Sequence, residues 1–138
     1  IKEDDVINSA KEIGIHDFIM SLPGGYNYVV GERGITLSTG QRQLISFLRV
    51  YLRNPKILIL DEATSSIDSH TEEILQTALK KLSEGRTTIV IAHRLSTIIN
   101  SDKILLLEDG MVLEEGTHSD LLKKGGKYSE MYFTQISE

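Results

Sequence analysis

The sequence predicts an α/β fold in which parallel core strands are flanked by helices and followed by a C-terminal β-hairpin. Residues 57–60 and 88–92 are short continuous apolar runs, the pattern of strands buried on both faces of a parallel sheet. Between them, apolar residues recur at helical spacing over residues 71–82, and Gly85 lies beyond the end. A strand, a helix and a strand in this order predict a right-handed crossover unit.

The N-terminal part of the chain is predicted to be helical. Asp4-Asp5 can cap a first helix, and Gly14 can end it. A second short helix is predicted over residues 17–22, because Pro23-Gly24-Gly25 breaks the chain after it. The apolar residues of the first helix recur at helical spacing: Val6, Ile7, Ala10 and Ile13.

Residues 37–41, Leu-Ser-Thr-Gly-Gln, end where a third predicted helix begins. This helix is predicted over residues 41–52, and Asn54-Pro55 stops it. Ser38 and Gln41 have the spacing of a capping box, which by itself does no more than start a helix. The same helix N-terminus also offers free amides and a partial positive charge, and Ser38 adds a hydroxyl donor, all of which suit a phosphate. Taken alone, the motif favours the capping interpretation.

The C-terminal part is predicted to contain a hairpin and two short helices. Residues 104–107 and 111–113 have strand character, and Asp109-Gly110 between them predicts a tight turn. Residues 118–124 and 128–135 then predict two short helices. The sequence shows no internal repeat and no low-complexity linker.

Composition indicates an ordinary globular domain. The chain has 138 residues, 40% of them hydrophobic and 25% charged, which suits one domain with a real core. The net charge of −5 argues against nucleic-acid binding, because phosphate contacts need a basic excess. The chain has no cysteine, so it cannot form a disulfide or a cysteine zinc site. No apolar run approaches the ~20 residues of a membrane-spanning helix, and we expect the chain itself to be soluble.

Three polar side chains follow the predicted core strands: Asp61 and Glu62 after the first, and His93 after the second. We expect them to share one edge of the sheet, because ligands of parallel sheets sit at the carboxyl ends of the strands. One carboxylate there can hold Mg²⁺ while the next polarises a water that attacks a γ-phosphate, and an imidazole can contact that phosphate. An isolated Asp-Glu pair or histidine is more often structural. The other histidines are predicted to be surface residues: His16, His70 and His118.

The order and spacing of these segments resemble the nucleotide-binding domain of ABC transporters. Residues 37–41 look like the ABC signature and residues 57–61 like the Walker B motif. Glu62 looks like the catalytic glutamate, residues 65–68 like the D-loop and His93 like the switch histidine.

The resemblance implies a truncated P-loop NTPase fold of the ABC-ATPase type. Residues 1–54 would be part of the helical, signature-bearing subdomain and residues 55–138 the C-terminal part of the ATPase core. Together they would form one incomplete nucleotide-binding domain. Val30-Gly31-Glu32-Arg33-Gly34 is similar to the loop with which exporters touch the transmembrane coupling helices, and residues 61–65 and 92–97 are also typical of exporters. The intact protein would therefore work at the cytoplasmic face of the cell membrane with its own transmembrane domain.

The family's mechanism is built by two such domains that face each other head to tail around ATP and Mg²⁺. The signature of one domain closes on the γ-phosphate of the ATP that the other domain holds. The resemblance thus implies that the nucleotide of a partner domain is served by Ser38, Thr39, Gly40 and Gln41.

The residues after the core strands would serve the nucleotide bound by their own domain. Asp61 would support Mg²⁺, Glu62 would polarise the attacking water, and His93 would contact the γ-phosphate. Ser66 and Asp68 would lie at the dimer contact. Hydrolysis would open the dimer and drive the attached membrane domains.

The chain departs from the family pattern because no stretch matches the G-x-x-x-x-G-K-[ST] phosphate loop. The glutamine of the Q-loop and the adenine-stacking aromatic residue also precede the signature in this family and are absent from this sequence. The chain begins at Ile1, without an initiator methionine or a secretion signal. We therefore expect it to be cut from a longer protein, to expose core surface, and to hydrolyse no ATP at a useful rate alone.

A second departure is Thr39, where the family usually has glycine. A β-branched residue restricts the backbone and adds bulk at the phosphate contact. Together with an intact Glu62, such a signature resembles one subunit of heterodimeric exporters with unequal ATP sites.

Other functions remain open on the sequence alone. ATPases of chromosome maintenance and DNA repair use a similar signature and Walker B motif, but long coiled coils flank theirs. An importer ATPase is nearer, although residues 93–97 favour the exporter type. A truncated interaction module without enzymatic activity is the alternative from a different class.

Overall fold

A computed structural model describes residues 1–61, 67–92 and 95–137, without the side chains of Arg33, Leu95 and Ser96. The chain divides into two units, Ile1–Ile91 and Ala92–Glu138. The first unit contains helices α1 (Glu3–Glu12), α2 (His16–Ser21), α3 (Thr39–Arg53) and α4 (Ser69–Ser83), short 3-10 helices at Gly25–Asn27 and Glu32–Gly34, and strands β1 (Ile57–Asp61) and β2 (Thr87–Ile91). The second contains α5 (Leu95–Ile98), β3 (Ile104–Glu108), β4 (Met111–Gly116), α6 (His118–Lys124) and α7 (Lys127–Ile136).

Helix α1 ends as predicted but begins earlier. Gly14 follows the C-cap with a positive φ of 77°, a conformation that glycine adopts without strain. The predicted cap at Asp4-Asp5 is wrong, because the N-cap position is Lys2 and both aspartates lie in the first turn. The Asp5 carboxylate accepts the Lys2 backbone amide at 3.1 Å, and acidic side chains in a first turn interact favourably with the positive end of the helix.

The two core strands pair in parallel, in a register that aligns Ile57 with Thr87 and Asp61 with Ile91. Helix α4 makes the crossover between them, and it spans one or two residues more than predicted at each end. The strand, helix and strand inferred from the sequence are therefore present.

The prediction that these strands are buried on both faces is wrong for the described residues. Leu58 is 4% exposed, whereas Ile57 is 62% and Ile59 is 68% exposed. On β2, Ile89 and Ile91 are 53% and 52% exposed. Helices cover one face of this pair of strands, and within the described part of the first unit no second layer covers the other. Continuous apolar sequence therefore gives strands with one buried and one open face here.

The core of the first unit lies between the helices and the buried face of β1. Its members come from the four helices, from the turn between α1 and α2, and from Leu58 on β1. The residues with no exposed surface are Ala10, Ile13, Ile15, Leu44, Ala78 and Leu82.

The second unit is built on an antiparallel pair, β3 and β4, as predicted. Asp109 and Gly110 both have positive φ, 48° and 78°, the geometry of the tight hairpin turn that an Asp-Gly pair favours. Strand β4 runs on to Gly116, and a register irregularity lies between Leu106 and Leu107. Helices α6 and α7 follow where the sequence predicts them, and a small core forms from Ile104, Leu121 and Tyr128.

Helix α5 was not predicted, because its four residues are too few to show a helical period. Among the helices of the described residues, none combines the length and the apolar character needed to cross a membrane.

Candidate functional site

The motif of residues 37–41 forms the start of α3. Ser38 is the N-cap, and its hydroxyl accepts the Gln41 amide at 3.2 Å. The Gln41 side-chain oxygen accepts the Ser38 amide at 2.9 Å. This reciprocal pair is the predicted capping box, and it moves the helix start to Thr39, two residues before the predicted one. The first amides of a helix have no acceptor within the helix, so this turn can receive an anion.

Gly40 brings the N-termini of α3 and α4 into close contact. A Cβ at Gly40 would lie 2.7 Å from Thr71 Cγ2 and 3.0 Å from Ile67 Cγ2. Real Cβ atoms essentially never come within 3.0 Å of another heavy atom, so only glycine fits without a shift. The signature-like turn is thereby packed directly against the segment that caps α4.

Asp68, assigned to the dimer contact by resemblance, is the N-cap of α4. Its carboxylate accepts the Thr71 amide at 2.9 Å. The hydrogen bonds from the Thr71 amide and hydroxyl hold the pKa of the Asp68 carboxyl below its ordinary value of 3.8. Ser66, assigned to the same contact, lies outside the described residues.

Asp61 is the last residue of β1, and its side chain is exposed. It stands opposite Ile91, the last residue of β2, so the carboxyl ends of both strands are level. Within residues 1–61, 67–92 and 95–137, no group of three or more His, Cys, Asp or Glu side chains is placed to hold a metal ion. Glu62 and His93 lie outside the described residues, and their roles stay predictions.

Two of the histidines predicted to be surface residues are partly buried and hydrogen-bonded. His16 Nδ1 lies 2.9 Å from the Tyr26 hydroxyl, and His118 Nδ1 lies 2.8 Å from the Tyr128 hydroxyl. Each tyrosine follows its histidine by 10 residues, after the chain has turned back beyond a short helix. His70 is exposed as predicted.

Sequence reasoning missed Arg42, in the first turns of α3. Arg42 Nη1 donates to the Leu37 carbonyl at 2.7 Å and to the Gly34 carbonyl at 3.3 Å. Arg42 Nη2 donates to the Thr39 hydroxyl at 3.0 Å. The sequence signal for this arrangement was a cation near the N-terminus of a predicted helix. The helix dipole makes that position unfavourable for a cation unless other groups bind the charge.

The chain is similar in sequence to known transport proteins. A family model described as ABC transporter matches residues 2–65. Proteins named as multidrug export ATP-binding/permease proteins in Staphylococcus aureus, strains NCTC 8325 and COL, are 52% identical over 133 residues. These residues are 96% of this chain and 23% of each relative. The chain therefore spans about a quarter of the length of these relatives.

A solved structure, that of a bacterial Atm1-family ABC exporter with ATP bound, matches with a TM-score of 0.85 and 45% sequence identity. The match covers 99% of this chain and 24% of that one. The predicted resemblance and the predicted fold class are both confirmed. The chain is similar to the ABC transporter family in sequence, and its α/β fold matches part of the ABC-ATPase fold, a P-loop NTPase fold, of an ABC exporter.

Proposed function

We propose that the chain is part of the ATP-binding and ATP-hydrolysing domain of an ABC exporter. The observation that carries the proposal is the capped N-terminus of α3, where Ser38 and Gly40 form a fixed, anion-compatible turn within a sequence that resembles the ABC signature. The likeness to an exporter structure with ATP bound supports it. The relatives from Staphylococcus aureus are export proteins by name, and they favour this function over chromosome maintenance or DNA repair.

The signature-like turn serves the nucleotide held by a second ATP-binding domain, identical to this one or not. The Ser38 hydroxyl donates a hydrogen bond to the γ-phosphate while its oxygen still accepts one from the Gln41 amide. Gly40 supplies an amide at the same turn, and Thr39 and Gln41 flank it. Asp68, with Ser66, lies at the contact between the two domains.

The residues at the ends of the core strands serve the domain's own ATP. Glu62 polarises the water that attacks the γ-phosphate, and His93 donates a hydrogen bond to that phosphate. Asp61 is suited to Mg²⁺, since an exposed carboxylate at a strand end is the oxygen ligand that this ion prefers. Bound Mg²⁺ would supply charge neutralisation at the phosphates.

The loop before α3 is our candidate for the contact with the transmembrane domain at the cytoplasmic face of the membrane. Val29 is 84% exposed, Val30 is 45% and Ile35 is 81% exposed. Exposed apolar side chains grouped in one short loop suit a protein partner better than water. We assign residues 1–54 to the helical subdomain and residues 55–138 to the ATPase core.

Replacement of Glu62 by glutamine in the intact protein tests the proposed activity. The Glu62→Gln variant should lose about 100-fold or more of its ATP hydrolysis, the size of a general-base contribution, while it still binds ATP. Steady-state phosphate release and equilibrium nucleotide binding measure the two effects.

Glu73→Gln provides the matched control, because Glu73 is an exposed glutamate on α4 and should not affect turnover. The isolated 138-residue chain should hydrolyse ATP poorly in the same assay, since its sequence has no phosphate loop to grip the β-phosphate. Unchanged turnover in the Glu62→Gln protein would remove Glu62 from the proposed role.

A further inference from the structure

Arg42 connects the loop before α3 with the first turn of that helix. Its acceptors are the Gly34 carbonyl in the loop, the Leu37 carbonyl just before the N-cap, and the Thr39 hydroxyl inside the helix. A guanidinium presents its donors in a rigid planar fork, so one side chain can fix groups on both sides of the Ser38 cap. A lysine in the same place would be a single point charge and could not hold this arrangement.

Gly34 provides the space that Arg42 needs. A Cβ on Gly34 would lie 2.9 Å from Arg42 Cδ and 3.2 Å from Arg42 Cγ. The φ of Gly34 is +72°, which a residue with a side chain rarely adopts. The Gly34 carbonyl also accepts the Leu37 amide at 2.9 Å, so the loop and the guanidinium meet at one oxygen.

The charge of Arg42 fits an anion at the turn. A cation near the N-terminus of a helix opposes the helix dipole, and here the Leu37 and Gly34 carbonyls offset that cost. When a phosphate arrives at the same turn, the positive charge becomes favourable. The carbonyl groups therefore make the charge tolerable without an anion, and a bound anion would make it favourable.

We propose that Arg42 is a positioning residue for the Ser38–Gly40 turn, and that the Thr39 hydroxyl binds Arg42 instead of the nucleotide. The inference rests on the proposed function, in which this turn contacts ATP held by a second domain. It gives Thr39, which stands where the family usually has glycine, a physical role. The threonine adds an acceptor that locks Arg42 between the loop and the helix.

Kinetics of the intact protein with MgATP test this link through a double-mutant cycle. Arg42→Met should lower kcat about threefold to tenfold, the factor that corresponds to the loss of about one net hydrogen bond. KM should change by less than about twofold, because the turn acts only after the nucleotide is bound elsewhere. Thr39→Val should lower kcat by a smaller factor than Arg42→Met does. Thr39→Ser, which keeps the hydroxyl, should have the kcat of the wild type.

The combined Thr39→Val and Arg42→Met protein should be no slower than Arg42→Met alone. The threonine hydroxyl acts only through the guanidinium in this account, so the two losses cannot add. Arg49→Met is the matched control, because Arg49 is exposed on α3, seven residues beyond Arg42, and no hydrogen bond joins its side chain to a described residue. Thr77→Val, at an exposed threonine on α4, controls for the replacement of a hydroxyl by a methyl group.

Hydrogen exchange at the Leu37 amide gives a readout that does not depend on activity. This amide is bonded to the Gly34 carbonyl, and its exchange should be faster in Arg42→Met than in wild type, and unchanged in Arg49→Met. Additive kinetic effects, or an unchanged exchange rate at Leu37, would overturn the proposal while the Glu62→Gln result stands. Faster exchange at Leu37 together with full turnover in Glu62→Gln would support the Arg42 link and overturn the proposed function instead.

Discussion

Adjacent positions at the start of α3 obey different physical limits. Thr39 is exposed, and its hydroxyl has a place beside Arg42. Gly40 is buried against α4 and has no room for even a methyl group. A motif that looks uniform in sequence therefore combines a position defined by hydrogen bonding with one defined by packing.

Gly40→Ala should destabilise the protein by about 1–3 kcal/mol, the usual cost of forcing an extra carbon into a filled contact. The added Cβ would lie 2.7 Å from Thr71 Cγ2, so α3 and α4 would have to separate at their N-termini. The free energy of unfolding, measured with urea, checks this.

Thr71→Ser provides the rescue for that change. It removes the Cγ2 atom that the new methyl group would strike and keeps the hydroxyl that bonds Asp68. Gly40→Ala should therefore cost less stability in the Thr71→Ser background than in the wild type. A double variant as unstable as the sum of its parts would place the strain elsewhere.

Single residues were predicted well where the interaction is local in sequence. The Ser38 and Gln41 capping box is present because both partners lie within one helical turn. The environment of His16 was missed because its partner, Tyr26, comes 10 residues later, beyond a helix and a turn. The partners of Arg42 were missed for a related reason, since carbonyl groups leave no mark in a sequence.

At the scale of elements, β4 and the last two helices are held together by one buried carboxylate. Glu114 accepts the Tyr128 amide at 2.9 Å at the start of α7. It also pairs with Lys124 at 3.4 Å at the end of α6. Gly126 leaves the space for this carboxylate, because a Cβ there would overlap Glu114 Oε1.

The stability of the second unit should fall at acid pH because of Glu114. The bond from the Tyr128 amide, with help from Lys124, holds the pKa of this carboxyl below its ordinary value of 4.5. The folded form prefers the ionised carboxylate. As pH falls through 4.5, the unfolded chain therefore binds more protons than the folded form, and stability rises with pH in this range. The contribution is fully present above pH 4.5 and is lost as pH falls through the lowered pKa.

Unfolding free energies measured against pH test this for Glu114→Gln, which should show a weaker acid dependence than wild type. Glu115→Gln is the control, because Glu115 is 60% exposed and bonded only to the equally exposed Lys103 among the described residues. Equal acid dependence in wild type and Glu114→Gln would contradict the assignment.

Most elements could be predicted because their signals are short-range periods and breakers. The Asp109-Gly110 hairpin and the helix between the core strands are examples. The exposed face of β1 and β2 could not be predicted, because a continuous apolar run indicates only that a strand can be covered on both faces. Whether a second layer covers Ile57 and Ile59 depends on other parts of the protein.

At the scale of the whole molecule, the sites proposed for this chain are halves of larger sites. Ser38 and Gly40 stand at one helix end, packed against α4, and Asp61 ends β1 in the same unit. In our proposal the first pair serves a partner's ATP and Asp61, with Glu62 and His93, serves the domain's own. The chain spans about a quarter of the length of these relatives, and in our proposal the complete activity needs a longer protein and its partner.

Retention of ATP by the intact Glu62→Gln protein tests this shared-site account most directly. With ATP and Mg²⁺, this variant should trap nucleotide that survives rapid removal of free ATP, because hydrolysis no longer opens the dimer. Addition of Ser38→Ala should sharply reduce the retained ATP, since closure then lacks the donor that the partner's γ-phosphate requires. Equal retention with and without Ser38, or no retention by Glu62→Gln at all, would contradict the account.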